Sequence, residues 1–134
     1  MKTVLIVDDE PEIKSLVALC LDRLGVEVQQ ATGLSGALEI ARANDVGIVL
    51  LDLALGTEDG LEILPQLRQE PKLSGVPVVV FSAHDSRRRE ALDHGVDSFL
   101  RRPFASADLQ ATVELYVGHE SPEVTSRRSR PASS

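Results

Sequence analysis

The chain has 134 residues, of which 43% are hydrophobic and 26% are charged, and its net charge is −7. That length suffices for one domain with a hydrophobic core, and the acidic balance excludes the basic surface that nucleic acid requires. No apolar run approaches the roughly 20 residues that span a bilayer and no signal peptide is evident, so a cytoplasmic protein with no membrane contact is expected.

The first third of the chain alternates between strand-like and helix-like patterns. The apolar run Thr3–Val7 predicts a buried strand that is cut off by the acidic residues Asp8–Glu10. A helix is expected to begin near Pro11, because proline suits a first helical turn, and to stop at Gly25. The half-polar run 27–31 predicts an edge strand.

The same alternation continues to residue 117. The remaining predicted elements are a helix over 34–41, a strand over 48–51, a polar loop over 56–60, a helix over 61–67, a strand over 76–81, an arginine-rich helix over 86–94, a strand over 98–101 and a helix over 106–117. Five βα units with buried strands predict an α/β fold: a flavodoxin-like, doubly wound (βα)5 open sheet of five parallel strands with helices on both faces. Residues 1–118 are expected to form this domain, and 119–134 a disordered polar tail.

Three aspartates follow the ends of two predicted strands. Asp8 and Asp9 end the first strand, and Asp52 ends the third. Ligands of an open α/β sheet bind at the carboxyl ends of its strands, so the three carboxylates are expected to meet there. Like charges this close repel one another unless a cation lies among them, and Mg2+ is the cation that prefers oxygen ligands.

A carboxylate beside Mg2+ can hold the metal for another reaction or act as a nucleophile. Aspartate forms acyl phosphates, and phosphoryl transfer needs in-line placement and cations around the phosphoryl oxygens. Arg102, after the fifth strand, is placed to supply such a cation. The hydroxyl of Ser82, at the end of the fourth strand, is placed to donate a hydrogen bond to a phosphoryl oxygen.

Four motifs in this order carry a family resemblance. They are Val7–Glu10, Leu51–Leu53, Phe81–Ala83 and Gly95–Phe104. In order and spacing they resemble the receiver domain of two-component response regulators, over residues 2 to about 117. The resemblance implies that Asp52 is the phosphoacceptor. It also implies that Asp8, Asp9 and Asp52 bind Mg2+ together with the backbone carbonyl of Ala54.

The resemblance also implies a switch and a set of partners. Ser82 matches the switch hydroxyl and Phe99 the switch aromatic. A sensor histidine kinase or a histidine phosphotransfer protein would donate the phosphoryl group, and the face formed by helix four, strand five and helix five would change its affinity for a downstream target protein. The only chemistry implied is phosphorylation and dephosphorylation of the chain itself, so it is not expected to be an enzyme. With no output domain in the remaining residues, a stand-alone receiver is expected.

Two departures from the family pattern leave alternatives open. Arg102 stands where the family usually has lysine, in a cis peptide bond before proline, and arginine is not equivalent to lysine. Arg102 therefore motivates a pseudo-receiver, a module that binds partners without phosphorylation. Gly56 stands where proline is common, which predicts a more mobile loop.

Other interpretations of the same residues also remain. A metal-dependent phosphohydrolase is disfavoured, because those enzymes usually carry an acid where this chain has Ala54. A receiver cut from a longer regulator stays possible. Asp8–Glu10 would alternatively cap the first helix. Arg87–Arg89 are a candidate partner contact and would alternatively be a solvated face.

Overall fold

The computed structural model describes residues 2–56, 58–83 and 85–117. Five strands form one parallel sheet: β1 (Thr3–Val7), β2 (Glu27–Ala31), β3 (Val46–Asp52), β4 (Val78–Ser82) and β5 (Ser98–Arg101). Their spatial order is β2-β1-β3-β4-β5, so the strand order reverses direction between β1 and β3. This arrangement confirms the predicted doubly wound sheet. The tail expected at 119–134 lies outside the described residues.

Five helices connect and flank the strands: α1 (Ile13–Cys20), α2 (Leu34–Ala43), α3 (Gly60–Gln69), α4 (Arg88–Asp93) and α5 (Ser106–Val117). Helix α1 is shorter than predicted, because residues 11 and 12 form a turn and a separate 3-10 turn covers Asp22–Leu24. Gly25 ends that turn with a φ of 66°, which glycine adopts without strain. No helix among the described residues combines the length and apolar character needed to cross a membrane.

Side chains alternate across the sheet and build two separate apolar layers. Leu5 and Val7 of β1 face α2, α3 and α4, whereas Val4 and Ile6 face α1 and α5. Because β3 and β4 are also buried on both faces, they read in the sequence as continuous apolar runs. Replacing a buried leucine in either layer with alanine loses apolar burial and leaves a cavity, so the free energy of unfolding is expected to fall by about 2–5 kcal/mol.

The segment after β3 is a short hairpin, so its prediction as a loop was wrong. Ala54–Leu55 pairs antiparallel with Glu58–Asp59. Gly56 lies at its turn with a φ of 72°, which the ring of proline cannot reach. The turn is therefore built on a conformation that glycine favours and proline excludes.

Asp59 connects this hairpin to two helices. Its side chain accepts a hydrogen bond from the Leu61 amide at 3.0 Å and so caps α3. Both of its carboxylate oxygens also accept hydrogen bonds from Arg87, at 3.1 and 3.0 Å, at the start of α4. The bidentate bond from Arg87 holds the pKa of Asp59 below its usual range.

Asp59→Ala is expected to lower the free energy of unfolding by about 1–2 kcal/mol, because it removes a helix cap and a partly exposed ion pair together. Urea denaturation at neutral pH measures this change. Asp45→Ala is the matched control, since Asp45 forms an exposed pair with Lys2 at 3.5 Å. The decrease in the free energy of unfolding of Asp45→Ala is expected to stay below about 0.5 kcal/mol. Equal losses in the two variants would contradict the structural role assigned to Asp59.

Candidate functional site

The pairing register of the sheet brings Asp8 and Asp52 side by side. Val7 pairs with Leu51 across β1 and β3, so Asp8, directly after β1, lies beside Asp52, the last residue of β3. Asp9 joins them from the following loop. One carboxylate oxygen from each of the three lies within 4.8 Å of the other two. The structure therefore gathers the three predicted aspartates at the carboxyl edge, beside the point where the strand order reverses.

Burial makes this acidic cluster costly to ionise. Asp8 is fully buried and Asp52 is 7% exposed, whereas Asp9 is exposed. The pKa of Asp8 is raised to about 6: burial is the main cause and the charge of Asp52 contributes, whereas a hydrogen bond from the Glu10 amide opposes the shift. Burial also raises the pKa of Asp52. At neutral pH the ionised carboxylates repel one another in a poorly solvated site, and a bound cation would reduce that repulsion.

The donor set fits a small divalent cation. Three carboxylates that converge from one sheet edge supply the oxygen ligands and negative charge that Mg2+ selects. The backbone amide of Ala54 donates to Oδ1 of Asp52 at 3.2 Å, which orients that carboxylate. The carbonyl of Ala54 as a further ligand stays a prediction.

Arg102 reaches into the cluster from the end of β5. Its Nη1 lies 3.4 Å from Oδ2 of Asp8 and 3.6 Å from Oδ2 of Asp52. Its guanidinium carbon lies 5.2 Å from the centre of the Phe81 ring. The peptide bond from Arg102 to Pro103 is cis, and the Arg102 amide donates to the carbonyl of Ser82 at 2.8 Å. The guanidinium is therefore placed beside both buried carboxylates.

Glu10 is a member of the site that sequence reasoning did not identify. Its Oε1 accepts a hydrogen bond from Nη2 of Arg102 at 2.5 Å. The side-chain Nε2 of Gln30, on edge strand β2, donates to the backbone carbonyls of Asp8 and Glu10 at 2.6 and 2.8 Å. The capping alternative for Asp8–Glu10 is not supported, since the N-cap of α1 is Glu12 and its side chain makes no capping bond. No local sequence pattern around Glu10 indicates that its side chain contacts Arg102.

Ser82 and Phe99 lie on the neighbouring strands β4 and β5. Ser82 ends β4 and is 7% exposed, and Phe99 in β5 is equally buried against the layer of α2, α3 and α4. The guanidinium carbon of Arg88 lies 4.8 Å from the centre of the Phe99 ring. Arg88 thus covers the aromatic residue that the resemblance marks as a switch.

The structure supports the solvated-face interpretation for two of the three arginines. Arg88 and Arg89 are exposed, although Arg88 also lies over the Phe99 ring, whereas Arg87 is half-buried and bonds Asp59 and Glu90. Consecutive arginines look alike in a sequence. Their acidic and aromatic partners lie on other elements, so no local pattern distinguished them.

Gly60 approaches the backbone that carries Asp52. A Cβ atom at Gly60 would lie 2.3 Å from the carbonyl oxygen of Asp52 and 2.9 Å from the Cα atom of Leu53. The Gly60 amide donates to the carbonyl of Leu53 at 2.9 Å. The first turn of α3 therefore packs directly on the chain segment that presents Asp52, and only a residue without a side chain fits.

Comparison with known proteins agrees with this geometry. The family model described as the response regulator receiver domain matches residues 4–114. The KDP operon transcriptional regulatory protein KdpE of Escherichia coli is 37% identical over 123 residues, which cover 90% of this chain and 53% of that protein. The transcriptional regulatory protein SrrA of Staphylococcus aureus is 29% identical over 85% of this chain and 47% of its own length. The chain thus spans about half the length of these curated relatives.

Solved structures share the fold. The chemotaxis protein CheY4 of Vibrio cholerae superposes with a TM-score of 0.78 at 24% identity, covering 87% of this chain and 98% of that one.

Proposed function

This chain belongs to the response regulator receiver domain family, and on that premise we propose that it accepts a phosphoryl group on Asp52 in the presence of Mg2+. The observation that carries the proposal is the convergence of Asp8, Asp9 and Asp52 within 4.8 Å, with Arg102 beside two of them. Asp8, Asp9 and Asp52 would hold the ion. The chemistry that Mg2+ supplies when bound is neutralisation of charge on the phosphoryl oxygens.

The proposed reaction is an in-line displacement at phosphorus. An ionised oxygen of Asp52 forms a bond to phosphorus as the bond to the imidazole nitrogen of a phosphohistidine breaks, and the electron pair of that bond stays on the imidazole. Arg102 stabilises the charge on the phosphoryl oxygens, and the hydroxyl of Ser82 donates to one of them. Hydrolysis of the acyl phosphate later returns Asp52 to its free carboxylate, so turnover is confined to the chain itself.

Receiver domains of two-component systems interact with histidine kinases and downstream effectors. For this chain we propose a sensor histidine kinase or a histidine phosphotransfer protein as the donor. The readout would lie on the face of α4, β5 and α5, where Leu92 and Arg101 are exposed. Phosphorylation would bias two states of Ser82 and Phe99, and through them the affinity of that face for a target protein.

Intact-protein mass spectrometry after incubation with acetyl phosphate tests this function. The wild-type chain is expected to gain the mass of one phosphoryl group with Mg2+ and to gain little with a chelator present. A chain that gains no mass in Mg2+ would contradict the proposal.

A pseudo-receiver is the second candidate, and the position of Arg102 favours it. The guanidinium already lies 3.6 Å from Asp52 and so provides part of the positive charge that a metal ion would supply. A module held in this way would bind its partner without phosphorylation. Calorimetry with a beryllofluoride phosphate mimic would then show partner binding unchanged by the mimic.

Arg102→Lys separates the two candidates. Lysine is a compact point charge without the planar fork, and it is the residue that the family usually has at this position, so we expect it to assist phosphoryl transfer better than arginine does. If the site is active, we expect phosphoryl incorporation to become about fivefold faster, which corresponds to a barrier lower by about 1 kcal/mol. Rates of mass gain measure this change.

Arg101→Lys is the matched control, because Arg101 bonds Asp85 at 3.1 Å on the surface. Its rate is expected to equal that of the wild type. Incorporation in Arg102→Lys but none in the wild type would give first place to the pseudo-receiver.

A further inference from the structure

The guanidinium of Arg102 leans away from the acidic cluster. Its short hydrogen bond, 2.5 Å, goes outward to Glu10. Its contacts with Asp8 and Asp52, at 3.4 and 3.6 Å, are longer than an ordinary charge-assisted hydrogen bond. Yet Asp8 and Asp52 are the buried carboxylates, whereas the side chain of Glu10 is 58% exposed. Electrostatics alone would draw the cation inward, because charge attraction is stronger where solvent is scarce.

The position of Glu10 is itself held by the fold. The side-chain amide of Gln30 donates to the backbone carbonyls of Asp8 and Glu10 and so holds the backbone of the loop that carries them. The ring of Phe81 limits the guanidinium from another direction. Glu10 therefore acts as an anchor of defined position rather than as a loose surface charge.

Building on the proposed function, we infer that Glu10 is a positioning residue that holds Arg102 outward and thereby keeps Asp8 and Asp52 available to Mg2+. Without the anchor, the guanidinium would settle on the two buried carboxylates and compete with the metal.

A double-mutant cycle tests this inference through metal affinity. The full chain, Glu10→Gln, Arg102→Gln and the double variant are titrated with Mg2+, and the NMR signal of the Ala54 amide reports binding, because it donates to Asp52. With Arg102 present, Glu10→Gln is expected to weaken Mg2+ binding about tenfold. With Arg102→Gln, the same change is expected to weaken it only about twofold, through loss of one nearby charge.

The outcomes are distinct. A coupling of about fivefold between the two positions supports the positioning role. Equal effects in both backgrounds would overturn it, since Glu10 would then act as a charge or as a ligand through water. Tighter Mg2+ binding in Glu10→Gln would also overturn it, because Glu10 would then be pressing the guanidinium onto the cluster. If no variant binds Mg2+, both this inference and the proposed metal site fail. Urea denaturation of each variant excludes a loss of folding as the cause.

Discussion

Asp52→Asn is expected to gain no phosphoryl group from acetyl phosphate and Mg2+ under conditions in which the wild-type chain gains one. The neutral amide lacks the ionised oxygen that attacks phosphorus. We expect a complete loss rather than a slower reaction. Intact mass measured over time distinguishes the two.

The control for this variant is Asp22→Asn, which changes an aspartate of the 3-10 turn after α1, away from the sheet edge. It is expected to be phosphorylated like the wild type. Undiminished labelling of Asp52→Asn would show that the phosphoryl group resides elsewhere, and the assignment of Asp52 would then be wrong.

Asp8→Asn is expected to stabilise the metal-free protein while it destroys the metal site. Burial raises the pKa of Asp8 from 3.8 to about 6, so the unfolded chain ionises this group before the folded chain does. Stability from this group is present below pH 4 and is lost as the pH rises through about 6. At pH 7.5 the amide avoids that loss, and the free energy of unfolding should rise by about 1–3 kcal/mol.

The pH dependence and a neighbouring variant check this prediction. In urea denaturation with a chelator present, the gain in Asp8→Asn should shrink as the pH falls from 7.5 to 4.5. Asp9→Asn is the matched control, because Asp9 belongs to the same cluster but is exposed. It should weaken Mg2+ binding without stabilising the fold by more than about 0.5 kcal/mol. A destabilised Asp8→Asn at pH 7.5 would mean that its bonds to the Glu10 amide and Arg102 outweigh its burial.

The sheet was predictable because its signal is local. Runs such as Thr3–Val7 and the residues before Asp52 are apolar on both faces, and a parallel sheet buried on both sides needs that composition. Parallel strands also share one carboxyl edge, so the meeting of Asp8 and Asp52 followed from strand order alone. The start of α1 was less predictable, since a proline that suits a first turn also suits the turn before it.

The contacts around the site were not predictable, because each joins elements far apart in the chain. Glu10 meets Arg102 across 92 positions, and Arg87 meets Asp59 across 28. The hairpin after Asp52 was missed because its strands have two residues each, too few for an alternating pattern. Register and loop geometry, which three-dimensional packing sets, decide such contacts.

Gly60 has no reactive side chain, yet the choice of residue at this position is as restricted as it is at Asp52. Because a Cβ there would overlap the Asp52 carbonyl, every substitution at Gly60 displaces the segment that presents Asp52. In a saturation mutagenesis experiment, positions 52 and 60 are both expected to tolerate almost no substitution, although only the side chain of Asp52 is proposed to react. Intolerance to substitution therefore locates the neighbourhood of a reactive group in this fold, and geometry is needed to say which residue carries the group.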